Sequence, residues 1–145
     1  MKFRYVLSSF VVLTFVLAAF VLPGALAATS APPGETLKNL QAAYQGESDA
    51  EARYLAFAEK ADQEKQGAAA SLFRAAARAE GFHAKNHAAV IRKLGGEPVE
   101  ATHQIDVKST KENLAAAVKG ESYERDVMYP EFIEKAKAEK QKDAL

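Results

Sequence analysis

Two stretches of this chain nearly repeat two others, and that duplication constrains the fold more than anything else in the sequence. Asn39 to Ser48 reads NLQAAYQGES and Asn113 to Ser122 reads NLAAAVKGES, identical at seven of ten positions and 74 residues apart. Farther on, FAEKADQEKQ at Phe57 to Gln66 faces FIEKAKAEKQ at Phe132 to Gln141, again seven of ten, now 75 residues apart. Alanine-rich helices resemble one another by chance, but shared Gly-Glu-Ser and Glu-Lys-Gln at nearly one offset mark an internal repeat. With 30 alanines against five prolines in 145 residues, the repeated unit is helical. Two helical hairpins make a four-helix bundle, so the expected class is all-α. The chain has no cysteine, which excludes a disulfide scaffold and a thiolate metal site, and its formal net charge of zero gives no footprint for nucleic acid.

Periodicity places three helices. From Thr36 to about Lys65, Leu37, Leu40, Tyr44, Glu47, Glu51, Tyr54, Ala58 and Ala61 recur at alternating spacings of three and four, the seam of a packed helix. A second seam runs through Phe73, Ala76, Glu80, His83, His87, Val90 and Leu94, with Gly95-Gly96 as its stop. Glu97 to Lys108 reads as a crossover loop. The third helix starts at Ser109, which Glu112 completes as a capping box, and its seam holds Leu114, Ala117, Glu121, Glu124 and Met128. Pro130 is expected to kink it. By the offset, the counterpart of Phe73 to Leu94 is absent, so three of four bundle helices are encoded. The second unit reads as C-terminally truncated, with an apolar groove that a partner helix or a second copy of the chain could fill, making a homo-oligomer an expectation.

Residues 1–27 carry Lys2 and Arg4, an apolar run from Tyr5 to Leu22, a Pro23-Gly24 break and Ala25-Leu26-Ala27, the three parts of a secretory signal peptide. An uncleaved anchor is the competing reading, and the helix break before a small-residue site favours cleavage after Ala27. Residues 28–35 form a flexible leader, and 36–145 the folded domain. Removing the signal leaves 17 basic and 19 acidic residues, a net charge of −2. The expected location is outside the cytoplasm, in the periplasm, with the membrane met only during export.

Seam positions facing a bundle core call for apolar side chains, because a buried carboxylate without a partner costs several kcal/mol or takes up a proton. Here Glu47, Glu80, Glu121 and Glu124 occupy seams together with His83 and His87, and the seams hold no Lys or Arg. Four carboxylates carry −4 and two divalent cations carry +4, so a dinuclear metal centre is the economical way to keep such a core folded. Oxygen donors with imidazole suit iron or manganese. Glu80-x-x-His83 puts carboxylate and imidazole on one helical face, and Glu121-x-x-Glu124 repeats that spacing.

Gly46-Glu47-Ser48, Glu80-x-x-His83-Ala84-Lys85 and Gly120-Glu121-Ser122-Tyr123-Glu124 leading to Met128-Tyr129-Pro130 resemble the rubrerythrin family of ferritin-like di-iron proteins, from about Thr36 to Gln141. The resemblance implies two iron ions, with manganese or zinc as alternatives, held by Glu47, Glu80, His83, Glu121 and Glu124. It also implies an oxidoreductase that reduces hydrogen peroxide in oxidative stress defence or, less firmly, oxidises iron. Tyr54 and Tyr129 match tyrosines beside the cluster, although a plain core role suits them equally. Three departures stand out. The last bundle helix, with a further Glu and His, is not present, nor is a rubredoxin-type tail, so electrons must come from an external donor. His87 stands where the family suggests an apolar residue, and a role behind the ligands or a merely polar one is favoured over an extra ligand. The competing readings are a metal-binding but non-catalytic protein and a helical fragment dependent on a partner helix.

Overall fold

The computed structural model describes residues 34–145; the expected signal segment and all but the end of the leader lie outside the described residues. All regular structure among them is helical. Helix α1 spans Glu35–Gln63 and α2 Gly67–Lys93; after an irregular crossover come α3 Thr110–Tyr123, a π-helical segment Glu124–Met128 and α4 Tyr129–Ala138, with a last 3-10 turn at Lys142–Ala144. α3, the π segment and α4 run on without a break, so the bundle has three rods. α1 is the central one, packed along its length by α2 and by the α3–α4 rod. No helix among the described residues is long and apolar enough to cross a membrane.

The core is made of three rings set among alanines. Tyr54, Phe57 and Phe73 are buried, with ring centroids 5.4 to 6.2 Å apart, and Ala50, Ala58, Ala61, Ala70 and Ala77 close around them. Small alanines let α1 and α2 approach closely. α1 buries more than one seam, adding Ala43, Ala50 and Phe57, because a central helix needs an apolar stripe wide enough for two neighbours. On α2 the buried set is Ala77, Gly81, Ala84, Ala88 and Ile91 alongside Phe73 and Glu80. Val90 and Leu94 are only half-buried, and His83 is exposed. The expected seam is thus rotated slightly, toward α1.

The repeat has a structural meaning at the helix ends. The Glu64 carboxylate accepts from the Thr110 backbone N–H at the start of α3 (2.9 Å), and Glu139, its repeat mate, accepts from Glu35 and Thr36 N–H at the start of α1 (2.8 and 3.0 Å). Each unit therefore caps the other's first helix, satisfying donors that a helix start leaves bare. Those backbone bonds hold both carboxyls below their ordinary range. The next residue, Lys65 or Lys140, takes the left-handed conformation (φ 59° and 57°), and Gln66 and Gln141 donate back to Ala61 and Ala136 (2.8 and 2.9 Å). Glu-Lys-Gln is thus a helix stop and a cross-cap in one motif. Ser109 and Glu112 form the expected capping box, and Gly95 (φ 82°) ends α2.

Pro130 does not simply kink the third helix. Directly before it the Tyr129 N–H bonds to the Glu124 carbonyl, five residues back, in a π turn. Such a turn uses one residue more than an α turn. That extra residue accounts for the step in the repeat offset from 74 to 75. Without the bulge, everything after it would be rotated by about 100°. With it, Glu121 before the bulge and Tyr129, Phe132 and Ala136 after it all turn toward α1.

Candidate metal centre

Three elements bring acidic groups to one place, midway along α1. Glu47 is 2% exposed and Glu80 5%, on facing helices. With His83 they offer ligand atoms that all lie within 4.8 Å of one another. His83 sits one turn along α2 from Glu80, and its Nδ1 lies 2.8 Å from Glu80 Oε2. The imidazole is half out of the cluster, with its side chain 53% exposed, because no other described helix covers this face. Glu121 and Glu124 enter from the third rod. Glu121 is exposed and Glu124 half-buried, so both seam carboxylates expected to face inward lie at the rim of the cluster.

The tyrosines cross between the repeats. Tyr54 on α1 donates to Glu121 Oε1 of the second unit (2.5 Å), and Tyr129 on α4 donates to Glu47 Oε1 of the first. Tyr54 and Tyr129 are repeat mates at offset 75, as Glu47 and Glu121 are at offset 74. The two bonds are therefore one interaction made twice about a pseudo-twofold axis. Burial, with the neighbouring carboxylate, pushes both phenols above the ordinary tyrosine range, so both stay protonated as donors. Besides packing, each therefore donates a hydrogen bond to a carboxylate. Sequence reading did not bring out the crossing, although the nearly equal offsets of the two pairs carried it.

The electrostatics follow from crowding. Burial, then the charges of Glu47 and Glu121, pushes the Glu80 carboxyl up to about 7. Burial, then Glu47, Glu121 and Glu80, does the same to Glu124. Burial works against Glu47 as well, but the His87 imidazole 3.9 Å away and hydrogen bonding with Tyr129 and Glu80 hold it below its ordinary value, so it remains ionised. Its Oε2 is buried with no hydrogen-bond partner. A buried carboxylate oxygen without a donor, on a residue clustered with Glu80 and His83, is what a cation would satisfy. The donor set of carboxylate oxygens and one imidazole suits iron or manganese.

The crowding makes a prediction for the metal-free protein. Glu80 and Glu124 have folded-state values above the ordinary 4.5, so the stability they contribute is full below about 4.5 and is lost as the pH rises through about 7. Urea unfolding with chelator should therefore show lower stability at pH 8.5 than at pH 5.5. A shift of this size is worth about 3 kcal/mol per fully desolvated group. With solvent screening across the open face, about 2 kcal/mol in all is expected. A flat profile over that range would contradict the clustering.

The rubrerythrin family profile matches residues 38–145. Rubrerythrin-2 of Clostridium acetobutylicum is 37% identical over 112 residues, covering 72% of this chain and 58% of that protein. Nigerythrin of Nitratidesulfovibrio vulgaris is 38% identical over 109 residues, covering 73% and 53%. The chain thus spans a little over half the length of these relatives. The solved structure of fully reduced, all-ferrous nigerythrin superposes with a TM-score of 0.71 at 36% identity, covering 82% of this chain and 59% of that one. The fold is the ferritin-like helical bundle, represented here by three helices, and this chain belongs to the rubrerythrin family.

Proposed function

We propose that this chain holds a di-iron centre and reduces hydrogen peroxide with electrons from an external donor. The observation that carries this reading is the cluster of Glu47, Glu80 and His83, in which Glu47 also has a buried oxygen without a hydrogen-bond partner, with Glu121 and Glu124 at the rim. Glu47, Glu80, His83, Glu121 and Glu124 would hold the metal, and bound iron would supply the electrons that break the O–O bond. The protein's own part is positioning. Tyr129 and Tyr54 fix the carboxylates of Glu47 and Glu121, each through one hydrogen bond from a phenol that keeps its proton. Glu80 and Glu124 retain protons near neutral pH and release them as a cation enters, so loading should acidify an unbuffered solution. These 145 residues contain no cysteine, so the donor lies outside them. The secretory address read in residues 1–27 would place this defence in the periplasm.

The test is anaerobic loading with ferrous iron followed by addition of peroxide. Roughly two irons per chain, the count of a dinuclear carboxylate site, and stoichiometric peroxide loss are expected. Glu121→Ala should lower both. Iron bound without peroxide loss would make the chain a metal-binding protein instead, and no iron bound would end the metal reading.

A further inference from the structure

His87 stands apart from the family pattern, and the structure gives it a definite partner. It lies on α2 one turn beyond His83, with its side chain only 19% exposed. Its ring stacks on Tyr129, with centroids 6.0 Å apart and planes at 20°. Its Nε2 is 3.0 Å from the Tyr129 hydroxyl oxygen but 3.9 Å from Glu47 Oε1, too far for a direct hydrogen bond.

We infer that His87 is a positioning residue for Glu47, acting through Tyr129: it donates from Nε2 to the phenol oxygen, and the phenol donates to Glu47 Oε1. The direction follows from counting protons. A phenol has one, and here the Glu47 carboxylate oxygen accepts it. Tyr129 gives its proton to Glu47, so the nitrogen 3.0 Å away has to supply its own N–H. His87 is then fixed as the Nε2–H tautomer. The chain of two bonds commits Oε1 of Glu47 and leaves the buried, unpartnered Oε2 as the atom free for a cation. Glu47 is in this way held in one orientation. Without the imidazole donor the phenol loses one of its two restraints, and the carboxylate can turn.

This inference rests on the metal-centre reading, and its test separates the two. Cobalt(II) is titrated into the metal-free chain and into His87→Phe, which keeps a ring to stack but has no donor, and His87→Gln, whose amide N–H replaces Nε2–H. His87→Phe is expected to weaken cobalt binding about tenfold, in the range seen when a group behind a ligand is lost. His87→Gln should recover most of it, with the unfolding midpoints of the metal-free proteins unchanged. Nitrogen-15 NMR of the metal-free wild type should show neutral His87 protonated at Nε2. Equal affinity in His87→Phe, no recovery in His87→Gln, or an Nδ1–H tautomer would overturn the inference. Tyr129→Phe breaks the same link from its other end. It should match His87→Phe, with no further loss in the double variant, and this comparison stands if one variant folds poorly. A wild type that takes up no cobalt would sink the metal reading itself, and the tautomer alone then decides His87.

Discussion

Glu80→Gln is expected to stabilise the metal-free protein and destabilise the metal-loaded one. The glutamine keeps the shape of the side chain and can still accept from His83 Nδ1, the contact now made at 2.8 Å. It removes a charge that burial, Glu47 and Glu121 all oppose. At pH 8, where wild-type Glu80 is mostly ionised, the relief is about 1 to 2 kcal/mol after allowance for screening. At pH 5.5, where Glu80 already carries a proton, the gain should vanish. With metal the sign reverses, because a neutral amide oxygen is a far poorer ligand than a carboxylate. Affinity should fall by at least about 100-fold, since loss of a group merely behind a ligand already costs 10- to 100-fold. Metal that raises the wild-type midpoint by mass action will then leave the variant's nearly unmoved. Paired thermal melts with chelator and with ferrous iron read both arms. A variant destabilised in both states would show that Glu80 serves the fold rather than a metal.

Phe73→Ala should cost about 3 to 5 kcal/mol, the range for emptying a buried aromatic site. Phe73 is 2% exposed, meets Phe57 edge-on at 5.4 Å and Tyr54 at 6.0 Å, and belongs to a cluster otherwise made mostly of alanines. Alanines have no rotamers with which to fill a hole, so the cavity persists. Against a total stability of about 5 to 15 kcal/mol, this is a large fraction. The loss should also reach the site, because Tyr54, which donates to Glu121, rests on the same ring. Leu72, the neighbouring residue, is 59% exposed, and Leu72→Ala should stay within about 0.5 kcal/mol. Urea unfolding of the two variants side by side makes the comparison. Equal costs would mean that the aromatic trio is not the core.

The repeat made the helical class legible, and local rules placed the end of α2 and the start of α3. Ser109 with Glu112 and Gly95-Gly96 act where their chemistry says they should. The step from offset 74 to 75 was also visible, but arithmetic alone does not say where an added residue goes. It could have been looped out; instead it is absorbed as the π turn before Pro130, because both halves of the third rod must face α1. Seam spacing drew attention to the acidic residues, yet it treated every seam residue as inward. His83 and Glu121 are exposed, since spacing fixes a direction around one helix but not which neighbours cover it.

By itself the sequence determined what depends on neighbours along the chain: helical propensity, caps, stops, the repeat and the carboxylates set among apolar positions. Only the tertiary structure decided which groups meet. Tyr54 reaches Glu121 across 67 residues and Tyr129 reaches Glu47 across 82. Glu64 and Glu139 cap each other's repeats, and His87 joins the phenol that holds Glu47. A hydrogen bond needs its partners within about 3 Å. Between residues so far apart in sequence, that distance is set by how three rods pack, with one extra residue in the third to keep both of its halves turned inward.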